Sequence, residues 1–260
     1  LGARGADAGF RYSIAESISP QAQAVYGRLV KMVAVASLVK KPPHTPEGFV
    51  AMREASLPGD EQRGMQSLQK SGATAQELKL SGVPVLDVRP AGYKEDGTLL
   101  IHIHGGGFVM GSARSTAGFA AMIATRMGKR VISIDYTLAP DARWQQVTDQ
   151  AVAVYKALLD QGVPAASIGI TGESAGGNIA AACVLKARDQ GLPLPGALVL
   201  LSPGLDLALK SETYKTLAAA DPVLSDVDSI AVAFGMYAPE AADRTNPYVS
   251  PVYANFGTGY

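Results

Sequence analysis

Apolar and polar positions follow two different periods along the chain, and each period predicts one kind of element. Short, nearly continuous apolar runs predict strands at 83–88, 99–104, 131–135, 166–171 and 197–201, the last of them fully buried. Apolar residues at helical spacing predict helices at about 116–127, 144–161 and 177–188. Because strands and helices alternate, we predict an α/β fold with a mostly parallel central sheet and helices on both faces.

The segment before the sheet is predicted to be helical. After a loose arm over residues 1–19, Pro20 opens a helix that runs to about Val39. Its predicted buried face consists of Val25, Leu29, Met32, Val33 and Ala36. A second helical stretch starts near Pro46, is broken at 57–60 and resumes to about Lys70. We expect these two helices to pack on the α/β core.

The sheet pattern ends at Pro203. A capping box at 225–228 predicts a helix that runs to about Tyr237. The remainder, up to Tyr260, has the composition of loops, and no further strand is predicted there.

One turn, residues 172–176, carries the first chemical signal, because it lies between a predicted strand and a predicted helix. Ser174 has glycine at both second neighbours, which is typical of a sharp turn too crowded for a Cβ atom. Such a turn exposes the hydroxyl, and the N–H of Ala175 at the helix N-terminus faces the place where negative charge would develop. The five-residue pattern also occurs by chance in unrelated chains.

A second signal makes chance much less probable as an explanation. The predicted strand at 99–104 runs directly into three glycines, Gly105, Gly106 and Gly107. Consecutive glycines let backbone N–H groups approach a ligand closely, and acyl-transfer enzymes need such donors for the tetrahedral oxyanion. We therefore predict Ser174 as nucleophile, with the N–H groups of Gly105, Gly106 and Ala175 as oxyanion hole.

Three motifs, at 104–112, 135–140 and 172–177, resemble in sequence and order those of the hormone-sensitive-lipase-like family of α/β-hydrolase esterases. The resemblance is dense over residues 83–206 and weaker outside. It departs from the family at Thr137, where Arg is usual. It departs again at Glu173, where Asp or Thr is commoner, and these two changes concern the subfamily rather than the chemistry.

The resemblance implies an α/β-hydrolase fold and hydrolysis of carboxylic esters through an acyl-serine intermediate. Residues 1–80 would form an N-terminal arm and helical cap over a catalytic domain at 81–260. His104 and Gly107 would support the oxyanion loop. The same machinery also fits an amide or formamide hydrolase.

A serine hydroxyl needs a base, usually a histidine held by a carboxylate. The three histidines, His44, His102 and His104, all precede Ser174, whereas the order in this fold is serine, acid, histidine. We interpret His44 as a surface histidine in a turn. His102 is interpreted as a packed or loop-supporting residue, because it lies two positions before His104 on the same strand face.

Asp206 is the one candidate acid within the chain, because it follows the strand after the elbow. The family resembled places its acid one strand later, so we expect Asp206 to cap a turn. Asp221 and Glu173 are also expected to be structural. The triad acid and base are therefore predicted to lie outside this chain, on a C-terminal segment or a separate chain. We expect a truncated esterase that is nearly inactive by itself; the alternative is a relative that binds small molecules without turnover.

Composition excludes several other classes. With 23 basic and 23 acidic residues the formal net charge is zero, which gives no indication of nucleic acid or an anionic membrane as partner. Cys183 is the single cysteine and, with three histidines, indicates neither a disulfide nor a metal; no cofactor is expected. The apolar stretch at 25–39 is too short to span a bilayer. The expected partner is a small ester of short to medium chain. Cytoplasmic location is slightly favoured over export, and the oligomeric state, dimer included, stays open.

Overall fold

A computed structural model describes residues 16–39, 42–217, 221, 223–224 and 226–257, with the backbone alone for 33–39. The helices are α1 (Pro20–Val39), α2 (Pro46–Lys70), α3 (Ala117–Met127), α4 (Trp144–Asp160), α5 (Ala175–Asp189), α6 (Thr213–Thr216) and α7 (Val227–Tyr237). The strands are β1 (Thr74–Leu80), β2 (Val83–Arg89), β3 (Leu99–Ile103), β4 (Arg130–Ile134), β5 (Ile168–Glu173) and β6 (Ala197–Leu201). Most of the predicted arm lies outside the described residues. No helix in the described ranges has the length and apolarity needed to cross a membrane.

The six strands form one sheet in the order β1-β2-β4-β3-β5-β6. The four strands β4, β3, β5 and β6 are parallel, and β1 and β2 run antiparallel at one edge, which confirms the predicted mostly parallel sheet. Ile103 is aligned with Gly172, so β3 and β5 end side by side. The loop after β3 and the turn after β5 therefore meet at the carboxyl edge of the sheet, where ligands of open α/β sheets bind.

Helices cover both faces of the sheet, as predicted. On one face α3 packs against β2 and β4 through small buried residues such as Ala120 and Ala124, and α2 packs against α3 and β1. On the other face α4 and α5 pack against the larger cluster that contains Ile101, Ile132 and Ile170. Nearly every residue of α5 is buried, so the helix that follows the candidate nucleophile is fixed on all sides.

The strand β1 was not predicted. It forms a hairpin with β2 through a two-residue turn, Ser81 and Gly82, with φ of 47° and 81°. Two-residue hairpin turns that match the twist of the strands have positive φ at both residues. The Ser-Gly pair could therefore have predicted this hairpin from the sequence. Residues 74–80 belong to the sheet, so the predicted boundary between 80 and 81 falls inside this hairpin. The division into an N-terminal cap and a catalytic domain stays a prediction.

Two predictions about the N-terminal helices are wrong. The second helix is continuous from Pro46 to Lys70 rather than broken at 57–60, because Pro58 is exposed and the carbonyl that loses its partner can face water. The helix α1 exists, but Val25 and Met32, two residues of its predicted buried face, are 57% and 63% exposed. The side chains of Val33 and Ala36, also predicted to be buried, lie outside the described residues. The helical spacing correctly predicted that a helix forms here, but it did not predict which of its side chains are buried.

The strand β6 is also less buried than predicted. It lies at the edge of the sheet, where Leu198 and Leu200 pack on the main core. Val199 and Leu201 point to the opposite face and are 50% and 40% exposed. A continuous apolar run predicts a strand covered on both faces, and within the described residues only one face of β6 has such cover.

The helix α7 follows the predicted position. Its cap is Asp226, whose Oδ1 accepts a hydrogen bond of 2.9 Å from the Ser229 N–H. Ser225, the first residue of the predicted capping box, lies outside the described residues. The four-residue helix α6 was not predicted.

Candidate active site

The turn between β5 and α5 holds Ser174 in a rare conformation. Its φ of 54° and ψ of −118° cost on the order of 1–3 kcal/mol for a residue with a side chain. A Cβ at Gly172 would lie 2.3 Å from the Gly176 carbonyl oxygen, and one at Gly176 would lie 2.0 Å from the Ile103 carbonyl oxygen. The two flanking glycines are therefore required by contact, and the strained serine is held between a strand and a largely buried helix.

The glycine loop after β3 also needs its glycines. Gly106 and Gly107 have φ of 115° and 62°, and a Cβ at Gly106 would lie 2.1 Å from the Met110 carbonyl oxygen. Gly105 lies against the elbow, because a Cβ there would be 3.3 Å from the Ser174 Cβ. The structure thus brings the two predicted motifs into contact.

The N–H groups of this site fall into two sets. The Gly105 N–H donates a hydrogen bond of 2.9 Å to Glu173 Oε1, so it is not available to an oxyanion and its predicted role is corrected. By contrast, the N–H groups of Gly106, Gly107 and Ala175 have no acceptor among the described residues. These three residues also line one cavity together with Ser174. Gly107, predicted to support the loop, therefore replaces Gly105 as candidate donor.

His104 lies under the glycine loop, where the resemblance placed it. Its Nδ1 donates to the Gly105 carbonyl oxygen at 2.7 Å, and its ring stacks on Tyr136 with centroids 4.3 Å apart. The Tyr136 hydroxyl donates in turn to the His104 carbonyl oxygen at 3.0 Å. Complete burial lowers the pKa of His104 below its ordinary value of 6.5, so the ring is neutral and its Nε2 has no partner among the described residues.

His102 is fully buried and has both ring nitrogens occupied. Its Nδ1 lies 2.9 Å from Ser133 Oγ, and its Nε2 lies 2.9 Å from Glu173 Oε2. Burial acts to raise the pKa of Glu173, but the hydrogen bond and charge of His102 together with the Gly105 N–H lower it overall. Neither member of this pair forms a hydrogen bond with Ser174 among the described residues. Sequence reasoning did not join them, because the order of strands in the sheet cannot be read from spacing.

The remaining candidates are used elsewhere. His44 pairs with Asp226 at 2.9 Å and is half exposed. Asp206 accepts four bonds at one loop, from the N–H groups of Ala208, Lys210 and Ser211 and from the Tyr253 hydroxyl.

Asp221 accepts from the N–H groups of Val223 and Leu224. Within the described ranges, no histidine forms a hydrogen bond with Ser174 or with Asp206. Asp206 and Asp221 therefore cap loops, and none of the histidine contacts described above provides the base that Ser174 requires.

Two cavities meet at Ser174, and they share Gly106 and Met110. The first, of about 550 Å³, is lined mainly by apolar side chains from α2, the glycine loop and α7, including Phe49, Met52, Phe108, Ile230 and Phe234. The second, of about 460 Å³, is more open and is lined by polar side chains, including Asp60, Arg63, Ser115, Thr116 and Glu173. A mainly apolar pocket with a few convergent polar groups is the usual form of a small-molecule site.

Comparison with known proteins gives a consistent result. A family profile described as alpha/beta hydrolase fold matches residues 100–259. The LipR protein of Mycobacterium tuberculosis is 36% identical over 184 residues, which cover 71% of this chain and 58% of LipR. An esterase of Acinetobacter venetianus is 30% identical, over 88% of this chain and 74% of that protein.

A solved structure gives the same result in three dimensions. It is a crystal structure of an esterase from the bacterial hormone-sensitive lipase family, with a TM-score of 0.73 and 27% identity, over 92% of this chain and 75% of that one. The chain spans 58% and 55% of the first two curated relatives that it matches.

Proposed function

The chain belongs to the α/β-hydrolase family, in the group related to hormone-sensitive lipase, and from this membership we propose that the whole protein is a serine carboxylesterase. The observation that carries the proposal is the cradle of three N–H groups, from Gly106, Gly107 and Ala175, beside Ser174 at the apolar cavity. Unpaired donors at a helix N-terminus and a glycine loop fit the charge of a tetrahedral acyl intermediate. Names such as esterase and acetyl-hydrolase among the relatives support the same reaction.

In this reaction Ser174 Oγ attacks the ester carbonyl carbon while its proton passes to a base. The carbonyl π electrons move to oxygen, and the three N–H groups donate hydrogen bonds that stabilise the resulting oxyanion. When the intermediate collapses, the C–O bond to the alcohol breaks and the base returns the proton to the leaving oxygen. Water then attacks the acyl-serine by the same route, releasing the acid and free Ser174.

The base and its carboxylate are proposed to come from outside the 260 residues. All three histidines have other contacts or lie away from Ser174, and Asp206 is held in a loop cap. The 260-residue chain alone is therefore expected to be nearly inactive, whereas the full-length protein is expected to turn over esters.

The two cavities suggest the substrate. The apolar cavity of about 550 Å³ would take a short to medium acyl chain, and the polar cavity would take the alcohol side and admit water. The helix α2 contributes Phe49 and Met52 to the apolar wall, so we propose that α2 acts as the cap. Cytoplasmic location stays a prediction.

The test is turnover of nitrophenyl acetate, butyrate and octanoate by the full-length protein and by residues 1–260, each with Ser174→Ala as control. We expect activity in the full-length protein that falls by at least about 10⁴-fold in the variant, because removing the nucleophile leaves only binding and the oxyanion hole. Nitrophenyl anilides run in parallel separate ester from amide hydrolysis.

A binding protein without turnover is the second candidate, favoured by the absence of a histidine bonded to Ser174 among the described residues. A fluorophosphonate adduct on Ser174 in a full-length protein that also turns over esters would exclude it. If the full-length protein binds small esters but neither reacts with the fluorophosphonate nor hydrolyses them, the carboxylesterase proposal is wrong.

A further inference from the structure

The carboxylate of Glu173 joins the two motifs of the site. Its Oε1 accepts the Gly105 N–H and its Oε2 contacts His102 Nε2, both at 2.9 Å. Glu173 ends β5, and Gly105 follows β3, the neighbouring strand. One side chain therefore connects the nucleophile turn to the glycine loop across the sheet.

The connection continues to a third strand. His102 lies opposite Ser133 of β4 in the sheet register, and its Nδ1 is 2.9 Å from Ser133 Oγ. Both His102 and Ser133 are fully buried. The side chain of Glu173 is thus held by a buried partner that cannot change position without opening the sheet.

The backbone of Gly105 is held at both its N–H group and its carbonyl oxygen. Glu173 holds the N–H of Gly105, and His104 holds the carbonyl oxygen of the same residue at 2.7 Å. In a planar trans peptide the C=O and the next N–H point in opposite directions. A fixed Gly105 carbonyl therefore fixes the direction of the Gly106 N–H.

Glu173 is an unexpected choice on electrostatic grounds alone. A carboxylate close to a developing oxyanion opposes it, and at about 4 Å the repulsion is on the order of 4 kcal/mol near a protein surface. A neutral acceptor would avoid this repulsion. A carboxylate accepts stronger hydrogen bonds than a neutral oxygen does, so its bonds to the Gly105 N–H and to His102 offset this repulsion.

We propose that Glu173 is a positioning residue for the oxyanion hole: it holds the Gly105 N–H so that the Gly106 and Gly107 N–H groups face Ser174. This inference rests on the proposed function. It assigns Glu173 no proton transfer, because the carboxylate is bonded to His102 and to the Gly105 N–H and forms no hydrogen bond with Ser174 among the described residues.

Two substitutions separate geometry from charge. Glu173→Gln keeps an oxygen for the Gly105 N–H and removes the charge, whereas Glu173→Ala removes both. Asp149→Asn is the matched control, because Asp149 is an exposed carboxylate of α4 paired with Lys186 away from the site. The full-length protein is used for all three variants.

We expect Glu173→Ala to lower kcat for nitrophenyl butyrate by about 10- to 100-fold with KM changed less than about twofold, because the oxyanion is bound only in the transition state. Affinity for butylboronic acid, which forms a tetrahedral adduct on serine, should fall by a similar factor. Glu173→Gln should stay within about threefold of the parent in both, and Asp149→Asn within about twofold. Hydrogen–deuterium exchange of the peptide at 104–111 should speed up in Glu173→Ala alone.

The outcomes are distinct. Unchanged kcat and unchanged exchange at 104–111 in Glu173→Ala would overturn the inference. So would a fall in thermal stability with equal losses in KM and boronate affinity, since that result describes a general structural role. If the parent full-length protein neither hydrolyses the ester nor binds the boronic acid, the proposed function fails. The exchange data then still decide whether Glu173 holds the loop.

Discussion

The two halves of the candidate active site differ in completeness. On the side where negative charge would develop, Gly106, Gly107 and Ala175 line one cavity with Ser174, and their N–H groups have no acceptor among the described residues. An added Cβ at Gly106 would lie 2.1 Å from the Met110 carbonyl oxygen, so this position requires glycine. On the side where a proton would leave, the described residues provide no histidine bonded to Ser174. Both buried histidines, His102 and His104, support the loop instead.

The difference teaches that the two halves depend on different ranges of sequence. The oxyanion cradle is built from two short motifs at the ends of adjacent strands, so a few neighbouring residues specify it. A general base must reach the nucleophile from a distant part of the chain, and no local pattern specifies that distance. Three predictions test this division.

The largest effect is expected from Gly106→Ala. An added Cβ would lie 2.1 Å from the Met110 carbonyl oxygen at a φ of 115°, so the loop must move and its N–H groups lose their direction. In the full-length protein we expect kcat/KM for nitrophenyl butyrate to fall by about 10²- to 10³-fold.

Gly97→Ala is the control for this substitution. Gly97 also has positive φ, at 77°, but has open space around its Cβ position, so activity should stay within about twofold. Normal turnover by Gly106→Ala would mean that the cradle does not act on the reaction.

A smaller effect is expected from Asp206→Asn. A triad acid replaced in this way loses about 10⁴-fold in kcat. We expect kcat to change by less than about threefold, because Asp206 caps a loop with four hydrogen bonds. The free energy of unfolding should fall by about 1–2 kcal/mol in denaturant titrations. Asp221→Asn, at another capping carboxylate, should behave alike; a loss of 10³-fold or more at Asp206 alone would place the acid within this chain.

The smallest effect is a pH dependence of stability. Burial lowers the pKa of His104, so below its ordinary value of 6.5 the unfolded chain binds a proton that the folded chain does not. The free energy of unfolding should therefore fall as pH is lowered from 6.5, by at most about 1.4 kcal/mol per pH unit. His104→Phe should flatten this slope in urea titrations.

Glu173 affects the free energy of unfolding in a different, more acidic pH range. Its pKa is lowered from 4.5, so its contribution to stability is present above that pH and is lost as pH falls through the folded value. A slope between pH 6.5 and 5 that survives His104→Phe would contradict the assignment to His104.

Prediction from the sequence succeeded where local rules decide and failed where packing decides. The strands and helices from Val83 to Leu201 follow the predicted order, because apolar runs and helical spacing are local signals. The second helix was predicted to be broken at 57–60 and is continuous, since Pro58 is exposed and the carbonyl that loses its partner can face water. The exposed faces of α1 and β6 were predicted to be buried, because an apolar run does not show what covers it.

The candidate site shows the same division. The sequence identified Ser174, the glycine loop and Ala175, but chose Gly105 over Gly107 as a donor. That choice depended on Glu173, whose carboxylate occupies the Gly105 N–H from a neighbouring strand. The glycine motif shows which N–H groups could act as donors. It does not show that the Gly105 N–H is already bonded to Glu173, which lies 68 residues further along the chain.

By itself the sequence determined the family, the nucleophile turn and the glycine loop, because steric crowding at a few backbone positions admits only glycine there. The tertiary structure alone decided which N–H groups stay unpaired, which histidines are buried and where two cavities meet. These properties depend on the order of strands in the sheet, which brings β3 and β5 together although the chain passes through β4 between them.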